Sequence, residues 1–323
     1  GNFRYYGAQG VIDHIDDFIF DGTYLLIAED GENLKSKKQN IAQVVEGQFW
    51  VNNHAHIVQG NELCNTRYLC YLLNSMDLSG YVTGSAQPKL SQANLNAVTL
   101  FLPSITVQER IVESLYLFDK KIAVNQKIND NLQQQAQAIY ASMFVDNAEP
   151  TWKQGHLSDF VIVRYGKDHK KLADGIYPVY GSGGIMRHVE RPLYDKESVL
   201  IPRKGTLNNV MYVNQPFWSV DTMFYTEMRQ PNVAKFVYHF VKAKDLASMN
   251  AGSAVPSMTT DILNAMEIVI PPASVLEEFE SLVAPMYRAM QENDAQSKKL
   301  ADLRNALLPK LMSGEIDVSD IQL

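Results

Sequence analysis

The side chains best suited to chemistry are His54-Ala-His56 with Cys64 and Cys70, the turn Gly181-Ser-Gly-Gly184, the serines Ser85 and Ser253, and Val269-Ile-Pro-Pro272. Two histidines and two cysteines are zinc ligands by type. Their spacing lacks a Cys-x-x-Cys pair, and the second half of the chain has Thr222 and Phe224 opposite the histidines, so ordinary strand and helix positions explain them better. The two cysteines, six apart on a predicted helix, point to different faces and suit no disulfide. The glycine turn lacks the lysine of a phosphate loop, and G-x-x-x-x-G-K-[ST] occurs nowhere in the sequence, so no ATP motor is expected. Both serines sit in Gly-Ser-Ala-x-Pro loops with no neighbouring histidine, and such loops need no catalytic reason. Val269 to Pro272 has the double proline of an amino-methyltransferase motif without the Asn or Asp that holds the target amine. It reads as a strand end before a helix. No catalytic residue, metal or cofactor is expected.

Charge is more informative than catalytic types. The whole chain sums to -7, a mild argument against nucleic acid, but phosphate binding needs only a local basic face. Between Thr151 and Asn250, fourteen lysines and arginines face nine acids. They cluster in predicted loops: Arg164, Lys167 and Lys170; Arg187 with His188; and Arg203, Lys204 and Asn208. Arginine and asparagine reach guanine and adenine edges, whereas lysine mostly holds phosphate. Residues 2–103 carry six basic against ten acidic residues, and Lys35, Lys37, Lys38 and Lys89 are the main candidates there.

The elements that must position these loops occur twice. Tyr6-Gly-Ala-Gln-Gly10 matches Tyr180-Gly-Ser-Gly-Gly184, Phe49-Trp50 matches Phe217-Trp218, and Gly84-Ser-Ala-Gln-Pro88 matches Gly252-Ser-Ala-Val-Pro256. Leu95-Asn-Ala97 matches Leu263-Asn-Ala265, and Pro103 matches Pro271. Each copy is domain-sized. The first copy, as given, has no counterpart of Thr151 to Asp174.

After each copy comes a long amphipathic stretch. Ile111, Leu115, Phe118, Ile122, Asn125, Asn129, Leu132, Ala136, Ile139 and Met143 form one seam; Phe279, Val283, Met286, Met290, Asn293, Ser297, Leu300, Arg304, Leu307 and Leu311 form the other. The steps of four and three predict coiled-coil helices. Asn125 and Asn293 fall at the same step, so an antiparallel pair would bring them together as a register device; two solvated gaps in imperfect seams are the alternative. Thr106 with Glu109 predicts a capping box at the first helix start. Pro285 predicts a kink or a split in the second helix, and Gly314 its end. Strands are predicted at 24–28, 54–58, 98–102, 198–202, 223–226 and 266–270, and shorter helices at 65–76 and 233–241.

Several of these segments carry a resemblance. Gly84-Ser-Ala-Gln-Pro-Lys-Leu-Ser91, then an apolar stretch to Pro103 and Gln108-Glu-Arg-Ile111, resembles the close of a target recognition domain in the specificity subunits of Type I restriction-modification enzymes. Tyr177-Pro-Val-Tyr-Gly-Ser-Gly-Gly184 resembles the opening of the loop-rich part of that family's second recognition domain. Leu307-Leu-Pro-Lys-Leu-Met-Ser-Gly-Glu315 resembles the close of its C-terminal conserved helix. The resemblance implies an α+β chain with two similar mixed α/β target recognition domains, at 1–103 and 151–272. Two long helices, at 104–146 and 273–314, separate them as an antiparallel coiled coil. It implies that each domain reads one half of a bipartite site in double-stranded DNA. Two methyltransferase subunits and a restriction/translocase subunit are the implied partners. The missing start of the first copy puts reading of one half-site in doubt. The competing reading is an architectural coiled-coil adaptor without sequence-specific DNA contact.

Composition suits a cytoplasmic protein: 46% hydrophobic residues, a mean hydropathy of -0.18 and no opening signal peptide. No apolar run approaches the ~20 residues of a membrane span.

Overall fold

The apolar run Tyr24–Ala28 ends a strand that two others cover. The computed structural model describes residues 1–36, 39–84, 87–249 and 257–318. The chain divides into two units, Gly1–Gln126 with Asp294–Leu323, and Lys127–Asn293. The division falls inside both long helices.

In the first unit, strands β1 (Phe3–Gly7), β2 (Gly10–Ile15) and β3 (Phe20–Ala28) precede a short helix α1 (Asn33–Ser36). Strands β4 (Ala42–Val51) and β5 (Ala55–Val58) complete one sheet in the order β2-β1-β4-β3-β5. Leu25, Leu26, Ile27 and Ala28 are buried because β3 is flanked on both sides. Helix α2 (Thr66–Ser75) starts where the Asn65 side chain accepts from the N–H groups of Arg67 and Tyr68. It buries Tyr68, Leu69 and Leu73, and the Asn74 carboxamide oxygen ties it to β4 through the N–H groups of Ile41 and Ala42. A short helix α3 (Gln92–Asn96) follows, then the long helix α4 (Ile105–Ala141) and a π-helical turn over Ser142–Asp146.

Two sequence expectations fail here. Residues 98–102 form no strand, and Phe101 is 89% exposed. Their counterpart in the second unit, Glu267–Ile270, is a strand because Lys153–His156 pairs with it. A strand needs a neighbour for its N–H and C=O groups. The start of α4 also moves: the helix opens at Ile105, with the Gln108 N–H donating to Ser104 O at 3.0 Å. Gln108 is fully buried. Its amide donates to Leu63 O and Pro103 O, and its carbonyl accepts from Asn65 N, so tertiary bonds fix the chain's entry into the helix.

The second unit has strand β6 (Lys153–His156), a one-turn helix α5 (Leu157–Phe160) and strands β7 (Val161–Tyr165), β8 (Asp174–Gly181) and β9 (Gly184–Val189). Strands β10 (Ser198–Pro202), β11 (Met211–Val213), β12 (Trp218–Ser219) and β13 (Met223–Met228) follow. Helices α6 (Ala234–Lys242) and α7 (Thr260–Asn264), strand β14 (Glu267–Ile270) and the second long helix α8 (Ala273–Met312) end the sequence of elements. The sheets run β11-β10-β13-β7, β12-β8-β9 and β14-β6. Every residue of β10 is buried, as its unbroken apolar run requires. The core gathers Phe144, Phe160, Phe236 and Phe279 around Tyr140, and Phe144 lies 4.7 Å from the Phe236 ring and 5.2 Å from the Phe279 ring.

Helix α8 is not split at Pro285. It stops where expected, with Gly314 at φ 76°. Within the first unit the helical halves run antiparallel: Asp119 pairs with Arg304, while Asn125, further along α4, donates to Gln296 Oε1 at 2.9 Å and Ser297 Oγ at 3.1 Å. Leu115 and Phe118 meet Leu307 and Leu311 there. Within the second unit, Asn293 donates to Asn129 at 2.8 Å, and Tyr140 packs on Phe279. Cys64 and Cys70 are both free thiols. Among the described residues, no helix is long and apolar enough to cross a membrane.

Each unit pins its globular part to its helices by a polar relay at matching positions. In the first, the Tyr71 hydroxyl donates to Asp119, which also pairs with Arg304. In the second, His239 takes the place of Tyr71; its Nδ1 lies 2.7 Å from Gln137 Oε1 and its Nε2 lies 2.9 Å from the Tyr287 hydroxyl. Burial among Tyr140, Tyr238 and Phe279 pushes the His239 pKa down to about 4. The folded chain therefore holds the neutral ring, while the unfolded chain takes up a proton below about pH 6.5. The resulting stability is complete above that pH and is lost as pH falls towards 4, on the order of 3 kcal/mol in all. Denaturant titrations at pH 7.5 and 4.5 should show His239→Gln losing less stability between the two pH values than the native chain, by about that amount.

Candidate nucleic-acid interface

Beta-strand ends in the second unit collect part of the predicted basic set. The N–H of Gly166, just past β7, donates to Met223 O, and that of Arg203, just past β10, donates to Thr222 O. These bonds bring Tyr165, Lys167, Arg203 and Lys204 to one end of the sheet. The Arg203 guanidinium stands 5.4 Å over the Tyr165 ring and donates to Asp221 O at 3.3 Å. A cation so held has less conformational entropy to lose on meeting a further partner. Lys204 is exposed, and its backbone bridges to Ser257. The loop from Lys167 is fixed by its backbone, with Lys167 N donating to Ser219 O and the Trp218 indole donating to Lys167 O, both at 2.8 Å. Its side chain stays in solvent. Tyr165 was missed in the sequence. Its signal is an aromatic ending a strand beside a loop with Lys167 and Lys170.

A second group gathers around residues 167–174. Asp168 accepts from Lys170 N at 3.0 Å, which holds its carboxyl below the usual range. Arg187 on β9 donates to Asp174 Oδ1 at 2.6 Å and to Leu172 O at 3.0 Å. His188 is exposed on the same strand.

Two other candidates have partners of their own. Arg164 makes a two-point ion pair with Glu227, at 3.1 and 3.2 Å, which raises its already high pKa. Asn208 donates to Asp245 Oδ1 and accepts from Ala247 N, both at 3.0 Å, so its amide holds a turn.

The first unit presents fewer cations. Lys35 donates to Gly84 O at 2.7 Å, and Lys89 pairs with Glu29 at 3.0 Å, which raises the Lys89 pKa. Lys37, Lys38, Ser85 and Ser253 lie outside the described residues. His54 lies 2.8 Å from Asp30, His56 lies 2.7 Å from Leu90 O, and Cys70 donates to Ala42 O. Cys64 donates to Asn65 O at 3.8 Å, so each of the four residues weighed as zinc ligands has its own protein neighbour. Burial raises the Cys70 pKa to about 12, so its thiol is a poor nucleophile. Among the described residues, no cluster of three or more His, Cys, Asp or Glu side chains could hold a metal ion.

Cationic loops carried by one of two matching scaffolds suit a protein that reads a nucleic acid. Comparison with known proteins gives the class. A family model described as the Type I restriction modification DNA specificity domain matches residues 1–134 and again residues 149–279. The chain belongs to that family, whose members are the non-catalytic, sequence-specific DNA-binding subunits of restriction-modification complexes. A protein described as a type I restriction enzyme specificity subunit of Haemophilus influenzae is 26% identical over 95% of this chain and 88% of its own length. The MjaIX specificity subunit of Methanocaldococcus jannaschii is 25% identical over 79% of this chain and 70% of its own length. The crystal structure of a Type I restriction-modification S subunit from M. genitalium shares the fold, with a TM-score of 0.59 and 16% identity over 96% of this chain and 88% of that one.

Proposed function

We propose that each globular part, 1–103 and 151–272, reads one half of a bipartite duplex site. The two long helices, 104–146 and 273–314, form an antiparallel coiled coil that sets the unread spacer. The observation that carries this reading is the duplication itself: one scaffold and one long helix, each present twice in order. Antiparallel packing of the helical halves inside each unit supports the rod. Asn125, fully buried, and Asn293 act in this reading as its register markers. Arg203, Lys204, Lys167, Lys170, Arg187 and His188 supply the DNA contacts of the second domain, with Arg164 and Asn208 as supports. Lys35, Lys37, Lys38 and Lys89 serve the first. Two methyltransferase subunits dock on the helices, and a restriction/translocase subunit joins them.

A rigid spacer makes a sharp prediction for the complex of this chain with its methyltransferase subunits. Inserting one base pair between the half-sites should abolish specific binding, because it shifts one half-site by about 3.4 Å and turns it around the duplex. Changing bases within the spacer at constant length should have little effect. Equal binding to both spacer lengths in a competition assay would remove the ruler from the reading.

A further inference from the structure

The ribbon β8–β9 and the ribbon β1–β2 share a built irregularity. In β1–β2, Tyr5 faces Asp13 and Tyr6 faces Val11, so Ile12 has no residue opposite it. In β8–β9, Val179 faces Arg187 and Tyr180 faces Ile185, so Met186 is the extra residue. The bulge occurs at the same step of both copies. The extra residue is a large apolar side chain each time, and it is exposed: 59% for Ile12 and 61% for Met186. Val11 and Ile185, beside them, are exposed too. A glycine leaves room for each extra chain: a Cβ on Gly181 would lie 2.6 Å from Met186 Sδ, and one on Gly7 would lie 3.2 Å from Ile12 Cγ2. Bulges re-aim side chains and concentrate near functional sites. An apolar pair held in water in two copies of one scaffold calls for a partner.

In the second unit the partner's charge can be read. The turn rests against the basic loop: a Cβ on Gly205 would lie 2.6 Å from Ser182 Oγ, and Asn209 donates to Ser182 O at 2.8 Å. Arg203 and Lys204 therefore stand beside the tip, and His188 is exposed on the same ribbon. That arrangement suits an anionic partner with an apolar spot. The DNA major groove admits a two-stranded ribbon, and the apolar feature on its floor is the 5-methyl group of thymine.

We propose that the β8–β9 tip is a base-reading element, with Ile185 and Met186 lying on thymine methyl groups in one half-site. The proposal rests on the DNA reading above. The test uses the full chain assembled with its methyltransferase subunits, on duplexes carrying its mapped methylation site. Replacing thymine by deoxyuridine removes only the methyl group and should weaken native binding about fourfold at each contacted position. Ile185→Ser with Met186→Ser should make binding indifferent to that replacement while leaving its salt dependence unchanged. Equal thymine preference in both proteins overturns the proposal. So does a native complex indifferent to every thymine methyl. A variant that no longer assembles with the methyltransferase also overturns it, and assigns the tip to a protein partner. The DNA reading would fail differently, through a native complex without salt-sensitive, sequence-dependent binding.

Discussion

Arg203→Ala with Lys204→Ala is expected to weaken DNA binding by the assembled complex by about tenfold or more, since a base-edge arginine alone contributes about 1–3 kcal/mol. Arg203 is braced by the Tyr165 ring and Asp221 O, and Lys204 stands next to it in solvent. The salt slope should fall by about 0.9 for each phosphate contact removed. Melting should move little, because Lys204 is exposed and the bond Arg203 makes to Asp221 O lies at the surface, where substitutions usually stay within about 0.5 kcal/mol. Filter retention or fluorescence anisotropy at several salt concentrations separates the two readings: an architectural adaptor would show unchanged retention.

Phe279→Ala is expected to destabilise the second unit by about 3–5 kcal/mol, the range for a buried aromatic replaced by alanine. Its ring is fully buried against Phe144, Tyr140 and His239. It joins helix α8 to the end of α4 and to the globular core, so the cavity cannot collapse on one side alone. For a unit of this size the loss corresponds to a fall in melting temperature of roughly 6–20 °C. Calorimetry should show the transition of Lys127–Asn293 moving by that amount. A shift of a degree or two would mean that the helix seam contributes little to this unit.

Local signals served the sequence reading well. The apolar run Ser198–Pro202 is a strand with those bounds, and the seam residues from Ile111 and Phe279 are all buried or half-buried along the two long helices. Features set by distant partners were not legible. Residues 98–102 have the pattern of a strand, but pattern alone does not make one: their second copy is a strand through its pairing with Lys153–His156. Glu227 lies 63 residues from Arg164, and Asp245 lies 37 from Asn208, so their pairing cannot be read from spacing. The bulges at Ile12 and Met186 depend on register, which pairing sets and composition does not.

A nuclease footprint of the chain assembled with its methyltransferase subunits tests the duplicated-reader claim most directly. Two protected half-sites flanking accessible bases are expected, one of them lost when Arg203 and Lys204 are replaced. A single continuous protected block, or protection unchanged by that replacement, would contradict it.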